Sequence, residues 1–381
     1  MNDARETRTM LVNMPRLLRE MAAADLDAAI VASPDNFFYM SSVKIITQTL
    51  IRDRIALALV TSDGTVSLVV CKAEESVTRR YSWVEEMRTY IEFHESPMMA
   101  VAALIQEKGL ARGRIGVEKK FVTAAYFEDL ASRLPGARLA ACDIAFERAR
   151  MVKTPAEIDR LRIAARGTDE AIGMAFKAAH PGVTEHAMAR VMVDHLFAVG
   201  NGEFRDLSWG VACGRNIMTT HYWAGESRLA AQDAVRINVR STHQGYFSHL
   251  YRMGVVGAPT ERQRSWYQKA LDIHMRAIER LRSGARACEL FHVAKKQMAE
   301  LGVETRGAHV GHSTGIALHE NPRLQAIDET VLEPGMVIAS EPLIVDGDQC
   351  IYHLEDLVLV TEGAPERLSD RTDTERLIQI G

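Results

Sequence analysis

The sequence predicts an α/β (α+β) protein of two domains, the first over residues 1–150 and the second over residues 151–381. Three observations carry that reading. A length of 381 residues exceeds what a single compact core ordinarily organises. The first 150 residues alternate short Val-, Ile- and Leu-rich runs with helically spaced ones, the pattern of a small mixed sheet with helices beside it. Lys153-Thr-Pro-Ala-Glu-Ile then opens a long helix afresh, with Thr154 as N-cap, Pro155 in the first turn and Glu157 completing a capping box.

Taken in order, Leu11, Met14, Leu17, Leu18 and Met21 share one face of a helix expected over residues 11–24. A strand follows over residues 28–32 and ends at Ser33-Pro-Asp-Asn, a turn signature; the aromatic Phe37-Phe-Tyr-Met beyond it reads as core. Strands over residues 54–60 and 65–71 are joined by Ser62-Asp-Gly, a hairpin signal. A helix over 97–108, a strand over 114–118 and a helix over 124–134, stopped by Pro135-Gly, complete the first domain. In the second, helices are expected over 153–179, 184–200, 260–282 and 287–301, the third opened by another capping box, Thr260-Glu-Arg-Gln. Between and after them lie apolar runs that read as strands, including 335–344 and 351–360.

Bulk properties exclude several classes. Lys and Arg total 46 against 50 Asp and Glu, a formal net charge of −4 without a basic block, so neither nucleic acid nor an anionic membrane surface is expected as partner. The N-terminus is polar, without an apolar signal core, and no apolar run approaches the ~20 residues that span a bilayer. Cys71, Cys142, Cys213, Cys288 and Cys350 are scattered, odd in number and lack CxxC spacing, which fits reduced thiols in a cytoplasmic protein.

The chemistry gathers at Ala308-His-Val-Gly-His-Ser-Thr-Gly-Ile-Ala-Leu-His-Glu-Asn-Pro322. Gly311 and Gly315 bracket His312, where backbone must come close to something or turn unusually. Downstream, Glu341 ends one apolar run and Glu355 lies inside another. A carboxylate in such a run is costly unless paired or bound to a cation. Two acids and two histidines, His312 and His319, converging from a loop and two strands read as a site, and these are ligand types for zinc, manganese or iron.

These segments (GHSTG, HENP, LEPGMVIASEP and LEDLVLVTEG) resemble, in order and spacing, the C-terminal motifs of the pita-bread fold family, which includes prolidase, aminopeptidase P, methionine aminopeptidase and creatinase. The first half resembles the creatinase-type N-terminal domain. The resemblance implies a pita-bread catalytic domain over 151–381, a curved antiparallel sheet with outer helices, and a homodimer. His312, Glu341 and Glu355 fall on three of the family's metal-ligand positions. The other two, aspartates in metal-dependent relatives, read here as Asn238 and His249. The dinuclear site of relatives uses four carboxylates and a histidine; two carboxylates, two histidines and an amide do not balance two divalent ions, so a dinuclear site is not expected. Two states remain open: one divalent transition metal (Zn, Mn or Fe) on His249, His312, Glu341 and Glu355, or none, with the two acids holding a cationic substrate. Creatinase, the metal-free member, likewise has asparagine at the position of Asn238 and hydrolyses a guanidinium compound.

By the same resemblance His221 falls on the family's acid/base or substrate-contacting histidine, and His319 on the one that helps hold the scissile carbonyl. Glu341 and Glu355 would share in catalysis. Tyr222, Trp223, Arg240 (in place of a family glycine) and His353, two residues before Glu355 and so expected on its side of the strand, are candidates for substrate binding. The expected function is a hydrolase cleaving a C–N bond of a small cationic or zwitterionic nitrogen compound. The alternatives are an Xaa-Pro dipeptidase or aminopeptidase with an altered metal site, a lyase on the same fold, and a non-catalytic binding protein.

Overall fold

A computed structural model describes residues 8–203, 208–305 and 307–381. The chain forms two compact units, one up to Arg150 and one from Met151 onward.

In the first unit, strands β1 (Ala28–Val31), β2 (Leu57–Thr61), β3 (Val66–Cys71), β4 (Met87–Tyr90), β5 (Arg114–Val117) and β6 (Arg138–Ala141) make one mixed sheet in the order β4-β3-β2-β1-β5-β6. The helices are α1 (Met14–Ala23), α2 (Pro34–Ser41), α3 (Ile46–Leu50), α4 (Glu75–Tyr81), α5 (Pro97–Glu107), α6 (Ala124–Arg133) and α7 (Asp143–Met151), whose last residue is the first of the second unit. Ile30, Leu57, Leu59 and Val69 of the sheet pack with Val101, Leu104 and Ile105 of α5 and Leu130 of α6. The β2–β3 hairpin turns where expected, with Gly64 at φ +86°. Two readings shift. The first helix starts at Met14 because Asn13 caps it, accepting from the Arg16 amide at 3.3 Å. Ser33-Pro-Asp-Asn is not a turn but the start of α2: Ser33 Oγ accepts from the Asn36 amide at 3.1 Å and Pro34 supplies the first-turn φ. The same residue types serve both motifs, so only the buried Phe37, Phe38, Tyr39 and Met40 that follow tell them apart.

The second unit contains α8 (Pro155–Ala178), α9 (Glu185–Ala198), β7 (Ser208–Ala212), β8 (Ala234–His243), β9 (Tyr246–Val256), α10 (Glu261–Glu279), α11 (Ala287–Glu300), β10 (Gly311–Ser313), β11 (Glu320–Arg323), β12 (Val337–Ser340), β13 (Leu343–Asp346), β14 (Cys350–His353), β15 (Asp356–Leu359), β16 (Glu366–Arg367) and β17 (Ile378–Ile380). Both capping boxes form, at Thr154/Glu157 and Thr260/Gln263. β17-β9-β8-β7 make one sheet, β11-β10-β12-β15-β16 a second, and β13-β14 a ribbon. A bridge between Tyr251 and Glu355 joins the first two sheets. α8 packs on β8 and β9, and α10 against β12, β13 and β14. Gln244 (φ +46°) and Gly245 (φ +83°) close the β8–β9 hairpin, the positive φ pair that suits a right-twisted two-residue turn.

The runs 335–344 and 351–360 each break in the middle. The first divides into β12 and β13 around Glu341-Pro342, the second into β14 and β15 around Leu354-Glu355. Glu355 is therefore not inside a strand, as the apolar run implied, but at a seam. Both acids stand where the chain leaves the five-stranded sheet for the ribbon and returns. The register on either side, Ser340 opposite Asp356 and Leu343 opposite His353, sets Glu341 across from Glu355.

Candidate metal centre

Four side chains meet here. His249 from β9, His312 from β10, Glu341 and Glu355 each offer one ligand-type atom, and these atoms lie within 4.8 Å of one another. His249 Nδ1 is 3.2 Å from Glu355 Oε1, and His312 Nε2 is 3.3 Å from Glu341 Oε1. Each histidine spends its other nitrogen on a fixed acceptor. His249 Nε2–H donates to Asn238 Oδ1 at 2.7 Å, and His312 Nδ1–H to the Ser313 carbonyl at 2.9 Å. Those bonds set both tautomers, leaving His249 Nδ1 and His312 Nε2 as lone pairs that face the acids.

The remaining polar atoms are unpartnered. His249 Nδ1, His312 Nε2, Glu341 Oε1 and both Glu355 carboxyl oxygens are buried without a hydrogen bond among the described residues. Buried polar atoms are ordinarily satisfied, so donors gathered in this way suit a bound cation. The donor set, two imidazoles and two carboxylates, suits a divalent transition metal. The residues present therefore fit one such ion.

Without a cation the charges share unequally. Burial, and then the neighbouring Glu341, pushes the Glu355 carboxyl well above its ordinary range. Burial also opposes charge on Glu341, but His309, His312, His353 and His249 together outweigh it and hold that carboxyl well below the usual range. Burial lowers His249 and His312, and brings His353 down to about 3. Two facing buried carboxyls carry both charges only at high cost unless a proton or a cation is shared between them.

Other candidates surround the four. His319 stacks on His312 with ring centroids 3.6 Å apart. His353 stacks on Tyr251 at 3.8 Å, and its Nε2 stands 3.8 Å from Glu341 Oε2. Despite the break in its strand, His353 thus reaches the same cluster as Glu355. Asn238 supports rather than ligates: it holds His249 through Oδ1 and donates through Nδ2 to the Tyr251 hydroxyl. Among the described residues no hydrogen bond, ion pair or ring contact joins His221, Tyr222 or Trp223 to these four. His221 and Trp223 are exposed, Trp223 meets Trp209 edge to face at 6.3 Å, and the Tyr222 hydroxyl accepts from Asn216 at 2.9 Å. Their segment nonetheless crosses the sheet beside the cluster. A Cβ on Gly210 would come within 2.5 Å of the Tyr222 carbonyl, and Gly210 pairs with Asn238. Arg236 holds the same segment by donating to the Thr219 carbonyl.

Several residues had not been singled out. His309 Nδ1 lies 3.2 Å from Glu341 Oε1, and its ring packs edge-on against His312 and His319. Its spacing, three residues before His312, was the available signal. Tyr251, two residues beyond His249 on β9, shares its face. Behind Glu355, the buried Arg252 donates to the Glu355 carbonyl, to Asp169 at 3.1 Å and to Asp356 at 2.7 Å; His274 Nε2 also meets Asp356 at 2.8 Å.

Residues 159–362 match metallopeptidase family M24, and residues 14–152 match the creatinase/prolidase N-terminal domain. The chain belongs to metallopeptidase family M24. It is 28% identical to the Xaa-Pro dipeptidase of Pyrococcus horikoshii over 364 residues, covering 95% of this chain and 97% of that protein. It is 27% identical to a Bacillus creatinase over 370 residues, 93% of this chain and 89% of that protein. The Xaa-Pro dipeptidase of Pyrococcus furiosus is 34% identical over 228 residues, 60% of this chain and 64% of that protein. The crystal structure of the Pyrococcus horikoshii prolidase superposes with a TM-score of 0.81 at 26% identity, covering 96% of this chain and 99% of that one. The M24 chain described here is accordingly a hydrolase acting on C–N bonds, of the two-domain pita-bread architecture. Among its described residues no helix is long and apolar enough to cross a membrane.

Proposed function

We propose that this chain is a mononuclear metal hydrolase of small zwitterionic or cationic nitrogen compounds, with the ion held by His249, His312, Glu341 and Glu355. One observation carries this: His249 and His312 each have one ring nitrogen tied to a fixed acceptor and the other turned, unpartnered, toward unpartnered carboxylate oxygens. A divalent ion in such a set supplies a water acidified toward neutral pH and an electrophile for a carbonyl or amidine.

The chain's own residues do the rest. Asn238 keeps His249 in the Nδ1-free tautomer, and the Ser313 carbonyl keeps His312 in the Nε2-free one. His319, stacked on His312, would present a ring N–H to the departing or carbonyl group. His221 would carry the proton to the leaving nitrogen once the 219–223 segment turns it inward. Tyr222, Trp223 and His353 would line the substrate's path. The active protein would be a cytoplasmic homodimer, with its cysteines reduced; all five are free and buried.

A metal-free, creatinase-like mechanism is the second reading. The facing Glu341 and Glu355, one charged and one protonated, would then hold a guanidinium or amidine, with His221 as general base. The substrates named for the relatives, Xaa-Pro dipeptides and creatine-like compounds, are the first to try under either reading.

The deciding measurement is elemental mass spectrometry on protein purified without chelator. About one Zn, Mn or Fe per chain, removed by EDTA together with turnover and weakened at least ~10-fold by His312→Ala, is expected. A metal-free protein whose turnover ignores EDTA would replace this reading with the metal-free one.

A further inference from the structure

The site faces a row of arginines that form no ion pair among the described residues. Residues 236, 238 and 240 alternate along β8, so Arg236, Asn238 and Arg240 project from one face. That face is the site's, because Asn238 bonds His249 there. Arg240 stands directly across from His249 in the antiparallel register, which places their Cβ atoms ~5 Å apart on the same side. Arg240 is half-buried, yet it makes no ion pair or hydrogen bond among the described residues. Arg236 is 2% exposed; it donates from Nη2 to the Thr219 carbonyl, and its Nη1 is buried without a partner.

Charge bookkeeping on this face gives a definite sign. Glu341 and Glu355 at most balance one divalent ion, and neither Arg236 nor Arg240 makes an ion pair among the described residues. Arg240 and Arg236 are then left over as permanent cations. An arginine held half out of water, unpaired, and beside a hydrolytic centre is a receptor for a planar oxyanion, which a guanidinium grips through two parallel N–H bonds.

We propose that Arg240 is the specificity residue for a substrate carboxylate, so that the compounds cleaved here carry a free carboxylate close to the scissile C–N bond. This rests on the reading of the cluster as the hydrolytic centre. It narrows the zwitterionic or cationic class to acids and excludes esters, amides and simple amines. Arg240 grips the carboxylate, and Arg236, two steps along the row beyond Asn238, supports it by adding charge and by pinning the 219–223 segment.

The test uses matched acids and amides on the full chain: Gly-Pro against Gly-Pro-amide, and creatine against creatinamide, each titrated by calorimetry and assayed for turnover. Wild-type protein should prefer one acid over its amide by at least ~10-fold, as expected for a bidentate charged contact. In Arg240→Met, of similar length and without charge, that preference should fall to about unity, while the amide binds as before and elemental analysis finds unchanged metal content. Arg240→Lys, which keeps the charge but not the fork, should fall between them. Absence of an acid preference in the wild type, including failure of every probe to bind, overturns the proposal. So does a preference that survives in Arg240→Met, which would mean another group reads the carboxylate. Metal content measured in the same samples reports separately on the metal reading, so loss of one conclusion is not mistaken for loss of the other.

Discussion

Glu157 sits where a carboxylate is poorly accommodated. It is 1% exposed, accepts from the Thr154 amide at 2.7 Å and from the Tyr246 hydroxyl at 3.0 Å, and caps α8. Burial pushes its carboxyl up to about 7, against the hydrogen bonds and Lys153, which pull it down. A folded-state pKa above the unfolded one means the native state holds the extra proton between pH 4.5 and 7. This contribution to stability is therefore full below pH 4.5 and is lost as pH rises toward 7, by about 3 kcal/mol in all. Glu157→Gln keeps the neutral shape and should flatten that slope: the fall in denaturant midpoint between pH 5 and pH 8 should shrink relative to wild type. An unchanged fall would mean Glu157 is ionised throughout. At this scale the sequence was most legible where residue type and motif agree. His249, His312, Glu341 and Glu355, expected together from the motifs, do come together in the fold. His309 was not marked in the sequence, because a half-exposed histidine reaches Glu341 only through the fold of its loop. The contrast between His221, exposed, and His319, stacked on His312, depends on loop path and left no trace in spacing.

At the scale of elements, the informative feature is the strand that breaks. An acid ending an apolar run and another inside one were readable; that both runs divide at the acid was not, because Val, Ile and Leu continue on each side. The break lets each carboxyl turn away from the pleat, and the hairpin register makes the two face. What holds the second break is Arg252, gripping the Glu355 carbonyl, Asp356 and, on α8, Asp169. The side chains of Arg252, Asp169 and Asp356 are all within 1% of fully buried. Arg252→Met should cost about 3–5 kcal/mol in equilibrium unfolding, since it strands two buried carboxylates. Removing the exposed Arg264–Glu261 pair should cost under ~1 kcal/mol. Similar costs for the two changes would show that the buried network is not what secures this seam. Arg252 was unmarked in the sequence: an arginine in an apolar strand declares nothing until its two acids, 83 and 104 positions away, are seen beside it.

For the whole molecule, the alternation of elements in the first unit and the capping boxes of the second were legible, because local chemistry dictates them. Strand order was not. The orders β4-β3-β2-β1-β5-β6 and β17-β9-β8-β7 depend on pairings between distant segments that no local pattern encodes. The four donors all belong to the unit that starts at Met151, so an ion that binds only the folded site stabilises that unit by mass action. Free metal at ~100 times its dissociation constant should add about 2.7 kcal/mol to it. In differential scanning calorimetry, EDTA should lower one transition and restoring Zn2+ or Mn2+ should raise it, with the effect absent in His312→Ala. A transition indifferent to metal in the wild type would contradict a preformed site.

The nitrogen that His249 leaves free carries one more implication. Nδ1 lies three bonds from the α-carbon, as far as an aspartate oxygen does, whereas Nε2 lies a bond further out. Held by Asn238 with Nδ1 inward, the ring delivers its lone pair at carboxylate reach, and β9 need not shift to admit the larger side chain. The position can therefore trade a charged donor for a neutral one without moving its backbone. Asn238 is the counterpart of that trade: its amide oxygen receives the N–H that a histidine has and an aspartate lacks. Set against the two aspartates that the resemblance expects at these positions, the pair would lower the negative charge of the centre while keeping its reach.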